Sequence, residues 1–465
     1  MEAVRRASKK KPVKMVSKNY PGEVRDKICL DEKELPVKVF EDRQSVLTEL
    51  FENKHIQSIY RVIAAVFMGI CINTVAYDYL YNGDTRLGFR LILKGFRNFY
   101  LVFSWWFCLF LLSFCPYFGV KYWFVVRNKL KNSLTVYFWD RVGVIICALF
   151  LIGLIAGTST VVVKIDVGFA SGVAAVMETL RIVMKIYAFC RVNVPVCLKC
   201  KLEKNYSIVP YPKFKHYLYF SFAPTLIYRH SYPRSSGKVR WSCIAMYLME
   251  FICSVLSISL VFERTFLLDL HLYGLKPYET KEIFMIMLNN SLYGLTILFL
   301  MNYTLLHVWL NAFAEILKFS DRLFYKDWWT SKTYERYYRT WNTVVHDWLY
   351  TYIYKDCYEI LTPKKKIVGK LLVFLISSIM HDLIVSLALG FFLPIFIIFF
   401  LILGTLVTYI KFSKDVIGNV FFFYTIGLGA SMMFTLYTLE YYARLRCDNE
   451  PVTVNSYFIP KLFNC

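Results

Sequence analysis

The sequence predicts an all-α polytopic membrane protein with about nine transmembrane helices. Of its 465 residues, 57% are hydrophobic and 19% are charged, whereas soluble domains run near 45–50% and about 25%. The apolar residues gather in runs of about 20, the length that crosses a hydrocarbon core roughly 30 Å thick. The Lys and Arg residues behind the net charge of +22 lie between those runs, as the positive-inside rule expects. That distribution argues against nucleic acid as a partner, which the charge total alone would suggest.

Residues 1–45, with Arg5, Arg6 and Lys9 to Lys11, read as a disordered basic cytosolic tail. The tail either contacts anionic lipid or a partner, or is a solvated leader. The first 50 residues are polar and basic and do not read as a signal peptide. Over 43–58, Val46, Leu47, Leu50 and Phe51 recur at helical spacing and suggest an amphipathic helix. Nine spans follow at 59–79, 97–120, 142–163, 168–190, 241–262, 286–310, 369–389, 391–411 and 419–440, which places the membrane domain at 46–440. The fourth carries Glu178, Arg181 and Lys185. Charges at membrane depth face protein or a cavity, so this helix is expected inside the bundle. With the N-terminus in the cytosol, the basic loops 121–140, 191–240, 311–368 and 411–418 share the cytosolic side. Nine is odd, so the tail 441–465 falls in the lumen. Segments 191–240 and 311–368 are rich in aromatics and should lie on or partly in the membrane.

The sequence shows no Gly-rich phosphate loop, no G-x-S-x-G elbow and no internal repeat. A transporter with an intramembrane His would show broken helices and repeated halves, and neither is visible. The 13 Cys lie mostly in apolar runs (Cys71, Cys108, Cys147, Cys190), while Cys197-Leu-Lys-Cys200 has no partner pair. His55, His216, His230, His271, His307 and His346 form no pair with metal-binding helical spacing, so no metal is expected. In the lumenal tail, Cys447 and Cys465 are either a disulfide, contributing around 3 kcal/mol, or two free thiols.

Two places could do chemistry. Segment 331–361 has neither Pro nor Gly, and Ser331 to Glu335 read as a helix entry with an acidic first turn. On a helix, Arg336, Arg339, Asn342, His346, Tyr350 and Tyr354 share one face. That face either holds a phosphorylated ligand, since guanidinium forks suit phosphate oxygens, or is a wetted cytosolic surface. The seventh span is apolar apart from Lys370, Ser377, Ser378, His381 and Asp382. A buried neutral imidazole at His381 can take a proton from a substrate hydroxyl, with Ser377 one turn before it. The alternative is a structural His bonded between helices.

The run Phe324-Tyr325-Lys326-Asp327-Trp328-Trp329 resembles the FYxDWW signature of the acyl-CoA branch of the membrane-bound O-acyltransferase family. That branch contains sterol and diacylglycerol O-acyltransferases. The likeness extends over most of the chain after residue 43, including HVWLNAFAEILKFSDR before the signature and HYLYFSFAPTLIYRHSYPR at 216–234. YYRTWNTVVHDWLYTYIYKD at 337–356, ETLRIVMKIYAFCRVNVP at 178–195, LEYYARLRC at 439–447 and the stretch around His55 resemble the sterol enzymes in particular.

The resemblance implies transfer of a long-chain fatty acyl group from acyl-CoA to a sterol such as cholesterol, in the endoplasmic reticulum membrane, by a homodimer or homotetramer. Acyl-CoA is the co-substrate and no cofactor is implied. A diacylglycerol acyltransferase is the alternative. The same resemblance implies His381 as the general base with Asn342 as the second catalytic residue. It implies acyl-CoA contacts from Arg336, Arg339, Asn342, His346, Tyr354, Lys366 and Ser377, sterol contact from His55, and a Cys447–Cys465 disulfide. Three positions depart from the family pattern. Thr330 stands where Asn usually follows the signature, Asp382 where Glu usually follows the base, and Arg336 where an uncharged residue is common.

Overall fold

In the computed structural model, residues 35–83, 88–199, 211–363, 365–447 and 454–463 are described. Every regular element among them is a helix. Most of the expected tail, residues 1–34, lies outside the described residues, and Lys38–Cys465 forms one compact unit. Residues 38–45, expected as tail, are pinned to that unit. Lys38 pairs with Asp347, and Arg43 makes a two-pronged contact with Asp321 at 2.7 and 3.2 Å. The amphipathic stretch after them is split. A short helix, Val46–Leu50, ends before Asn53, whose side chain caps the long helix Lys54–Tyr77.

Among the described residues, seven helices are long and apolar enough to span a bilayer: Lys54–Tyr81, Phe99–Lys129, Ser133–Ile165, Trp241–Leu270, Ser291–Leu317, Lys366–Leu389 and Asp415–Arg446. They coincide with seven of the nine expected spans. The other two differ for physical reasons. The fourth is a long helix, Phe169–Lys199, whose charges set it apart from a lipid-facing span. The eighth is interrupted at Pro394 and leaves only the shorter apolar helix Ile397–Val407, because proline supplies no N–H and closes off helix on its N-terminal side.

As its charges required, Phe169–Lys199 lies inside the bundle. Val176 and Leu180 pack against Met380, Leu383, Ile384 and Leu387 of the His381-bearing helix. The charges have defined partners. Glu178 and Arg181 pair at 2.6 Å, and Trp106 donates to Glu178 at 2.9 Å. Arg181 donates to the carbonyl of Ser221, and Lys185 to those of Phe220 (2.5 Å) and Ala223 (2.7 Å). These are carbonyls at the C-terminal end of the helix Phe214–Phe222, which no intrahelical donor can reach. Buried Lys185 and half-buried Arg181 therefore hold the end of that helix, and with it the aromatic segment 211–234, against the bundle.

The last long helix, Asp415–Arg446, meets Ser291–Asn302 at backbone contact. A Cβ on Gly294 would stand 2.7 Å from the Ser431 nitrogen, and one on Gly427 would stand 2.9 Å from the Ser291 carbonyl, so small residues set this approach. Near the end of that helix, fully buried Glu440 accepts from the backbone N–H groups of Lys461 and Leu462 in the tail and pairs with Arg444. Cys447 is disulfide-bonded, and Cys465 lies outside the described residues.

Candidate active site

The helix Lys366–Leu389 carries a polar stripe through an apolar sequence. His381 Nδ1 lies 2.7 Å from the Ser377 carbonyl oxygen. A carbonyl only accepts, so Nδ1 carries the proton and Nε2 keeps its lone pair. The rings of Phe396 and Phe400 stand 5.2 and 5.0 Å from the imidazole and wall it on the side of the helix Ile397–Val407. The arrangement is that of a neutral base with one free nitrogen in an aromatic surround.

Asp382 is not a relay to that base. Its buried carboxylate accepts from the backbone N–H of Phe396 at 3.0 Å and of Ile397 at 2.9 Å, with the Tyr437 hydroxyl at 3.4 Å. Those amides begin the helical turn after Pro394, so Asp382 serves as a distant N-cap. By fixing that turn it fixes Phe396, and through it the wall beside His381.

Segment 331–361 is not one helix. Tyr334–Thr340 ends at Trp341, and a second helix begins at Thr343 with Asn342 as its N-cap, Oδ1 accepting from the Val345 N–H at 3.1 Å. The expected face is therefore divided. Arg336 and Arg339 lie on the first piece, Asn342 at the break, and His346, Tyr350 and Tyr354 on the second. On the second piece the expectation holds in detail. The rings of His346, Tyr350, Tyr354 and Tyr358 follow at 6.2, 5.7 and 6.2 Å with planes within 16° of parallel.

The signature residues hold this break open. The Lys326 N–H donates to the Thr340 carbonyl, and the Thr343 N–H to the Phe324 carbonyl. The Thr343 hydroxyl donates to the Leu323 carbonyl at 2.6 Å. Trp328 donates to Asn302, whose amide reaches the Trp341 carbonyl. Phe324, Tyr325 and Trp328 are buried, Trp329 packs at the edge of their cluster, and Asp327 is exposed. The signature is thus a clamp that lets Asn342 leave the helical path. With Oδ1 committed to the cap, Nδ2 is the atom of Asn342 suited to meet a ligand oxygen.

The broken segment lies against the first turns of the His381 helix. Tyr338 meets Phe374 edge-on at 5.1 Å, and a Cβ on Gly369 would stand 3.0 Å from the Tyr354 ring. Phe374, Ser377 and His381 share a face at helical spacing. Lys366 is exposed at the start of that helix. Arg339 is exposed and donates to Glu335, one turn earlier, at 2.7 Å. Arg336 is turned to Asp327 at 2.7 Å and to the Thr330 hydroxyl at 3.0 Å, and Thr330 in turn donates to Asp327 at 2.9 Å. Two of the three departures from the family pattern therefore contact each other. His55 sits on the exposed first turn of the helix Lys54–Tyr77.

Sequence reasoning missed a buried polar cluster. His307 Nδ1 lies 2.7 Å from the Tyr325 hydroxyl and 3.2 Å from the Ser45 hydroxyl, which is itself 3.0 Å from Tyr325. The Asn311 amide donates to the His307 carbonyl at 2.7 Å. Burial pushes the Tyr325 phenol up to about 12, so it stays protonated and can donate to the imidazole. The partners are too far apart in sequence to reveal the cluster; its one signal was a histidine just ahead of the signature. Among the described residues, no three His, Cys, Asp or Glu side chains are grouped to hold a metal ion.

Comparison with known proteins agrees with this architecture. Residues 92–439 match the MBOAT, membrane-bound O-acyltransferase family. The chain is similar to Sterol O-acyltransferase 1 of Mus musculus, with 35% identity over 92% of this chain and 79% of that protein. It is 37% identical to Sterol O-acyltransferase 1 of Chlorocebus aethiops over 92% of this chain and 78% of the relative. With Sterol O-acyltransferase 2 of Homo sapiens the identity is 34% over 92% and 80%. The chain is a multi-pass membrane acyltransferase and belongs to the membrane-bound O-acyltransferase family.

Proposed function

We propose that this enzyme transfers a long-chain fatty acyl group from acyl-CoA to a sterol hydroxyl, giving a steryl ester and CoA. The observation that carries the reading is the His381 tautomer, with Nδ1 on the Ser377 carbonyl and Nε2 free. Relatives named sterol O-acyltransferase over 92% of the chain support the sterol as acceptor.

Nε2 of His381 takes the hydroxyl proton as the oxygen attacks the thioester carbonyl carbon. The C–S bond breaks, and the proton passes from the imidazolium to the departing sulfur. A positioned base of this kind is worth about 10²–10⁴ in rate. Asn342 Nδ2 stabilises the thioester oxygen or the sulfur as charge develops there. Arg339 and Lys366, both exposed, suit the CoA phosphates, with His346, Tyr354 and Ser377 along the same path. Arg336 joins that set only by exchanging Asp327 for a phosphate. His55 contacts the sterol as it enters from the bilayer. The enzyme sits in the endoplasmic reticulum membrane as a homo-oligomer, with the N-terminus cytosolic and the Cys447–Cys465 disulfide in the lumen.

The test is acyl transfer by membranes containing the full chain, using labelled oleoyl-CoA with cholesterol or diacylglycerol. Labelled cholesteryl ester as the dominant product is expected, and triacylglycerol instead would end the sterol reading. His381→Ala should abolish turnover at normal expression; retained turnover would remove His381 as the base.

A further inference from the structure

His346 has a neighbour that the reading above does not use. Its Nδ1 stands 3.5 Å from Oδ1 of Asp347. Adjacent residues on a helix point about 100° apart and do not ordinarily face each other, so this contact is a side-chain arrangement rather than a consequence of the helix. The second carboxylate oxygen, Oδ2, is taken by Lys38 Nζ at 2.9 Å. Lys38 arrives from far away in sequence and is fixed in turn. Its carbonyl accepts from Arg229 at 3.3 Å, Phe40 stands edge-on to Tyr232 and Phe319 at 5.3 and 6.1 Å, and Arg43 grips Asp321. All three side chains of the Lys38–Asp347–His346 chain are at least partly buried, with 18%, 24% and 34% of each exposed. Burial alone would push the Asp347 carboxyl up, but His346 and Lys38 outweigh it and hold it below the usual aspartate range.

An imidazole whose Nδ1–H points at a carboxylate has its ring plane and its other nitrogen fixed, as carboxylates do for histidines in metal sites. Here the ring so fixed heads the parallel row that continues through Tyr350 and Tyr354.

We propose that Asp347 is a positioning residue of the acyl-CoA site, orienting His346 so that Nε2 faces the ligand, and that Lys38 of the N-terminal strap holds Asp347 in place for it. This rests on the reading of His346 as an acyl-CoA contact. A ligand touching His346 would then be bound less tightly whenever the strap lets go of Asp347.

The test is a pair of double-mutant cycles in the full-length enzyme, reading the KM for oleoyl-CoA and kcat with saturating cholesterol. His346→Ala alone should raise the KM about tenfold, the equivalent of one charge-assisted hydrogen bond. Asp347→Asn should raise it by a comparable factor with kcat changed less than about twofold, and should add nothing in the His346→Ala background. Lys38→Met should raise the KM by a smaller factor, again only where His346 is present; this second cycle decides the matter if Asp347→Asn does not accumulate. A merely structural role would lower both parameters, or the amount of enzyme, alike with and without His346. Effects of Asp347→Asn or Lys38→Met that persist undiminished in the His346→Ala background would overturn the inference and leave the acyl-CoA reading intact. A KM unchanged by His346→Ala would remove the reading of His346 and this inference together.

Discussion

Asp382 follows the base directly in the chain, and its replacement separates two accounts of the pair. The structure gives its carboxylate two backbone donors, the N–H groups of Phe396 and Ile397 at 3.0 and 2.9 Å, in a setting that is 1% exposed. Asp382→Ala leaves both amides without a partner and opens a small void. An N-cap lost to Ala costs about 0.5–2 kcal/mol, and a buried donor left unsatisfied about 1–3 kcal/mol. The two figures overlap, so the expected loss is about 2–4 kcal/mol. Asp382→Asn keeps one acceptor oxygen but sets an NH2 against the other N–H, and should cost roughly half as much. The assay is thermal unfolding of the detergent-solubilised enzyme, read beside turnover of the surviving folded fraction. Both variants should melt earlier, in the order wild type, Asn, Ala. Turnover should fall in step with that order, because the Phe396 and Phe400 wall beside His381 loosens. An Asp382→Ala enzyme that melts normally yet has no turnover would refute the cap and show that Asp382 acts chemically on His381.

Asn342→Asp keeps the N-cap, since Asp and Asn cap equally well, but removes the Nδ2 donor; unfolding should be unchanged while kcat falls at least tenfold, and equal losses in both would mean that Asn342 only caps. Lys185→Met preserves side-chain length but strands the Phe220 and Ala223 carbonyls, so a loss of about 2–4 kcal/mol is expected, at about 1–3 kcal/mol for each buried group left unsatisfied, visible as poor accumulation or early melting. The Asp347 carboxyl is held below its usual range by His346 and Lys38 against the effect of burial. A depressed carboxyl stabilises above its unfolded pKa, near 3.9, and that contribution is lost as pH falls through its lower folded value. Protease resistance of the strap around Lys38 should therefore persist through pH 5 and disappear only well below pH 4.

The legible parts of this chain were those governed by local chemistry. Apolar run length located seven spans, and intrahelical spacing foretold the row His346, Tyr350 and Tyr354. The charges of the fourth span correctly placed it inside the bundle. What failed depended on partners remote in sequence. The break at Trp341–Asn342 carries no Pro or Gly because it is imposed from outside, by Leu323, Phe324 and Lys326. Asp382 stands next to His381 in sequence, but successive helical residues point to different sides, and its partners are the amides of Phe396 and Ile397, 14 and 15 positions on. The Ser45–His307–Tyr325 cluster joins residues up to 280 positions apart, and no window of sequence contains it. Residues 38–45 looked like tail by composition, and only Asp347, Asp321 and the Phe319–Tyr232 slot make them part of the core.

The same logic applies to Thr330, Arg336 and Asp382, the three positions that the resemblance marks as departures. An added guanidinium beside the site would be a liability if unpaired, but Arg336 is absorbed by Asp327, the exposed acid of the signature, with Thr330 bonded to both. The substitutions at 330 and 336 therefore form one interaction and need to be considered together. The shorter acid at 382 likewise still reaches the amides after Pro394, so the turn bearing Phe396 retains its anchor. None of these changes touches the Ser377 carbonyl that sets the His381 tautomer. The i, i+4 geometry of the helix places the His381 side chain one turn beyond that carbonyl, whose second lone pair takes the imidazole N–H. The free Nε2 is thus a property of the backbone of one helix. It is insulated from variation in the acid beside the base and in the loop that clamps Asn342.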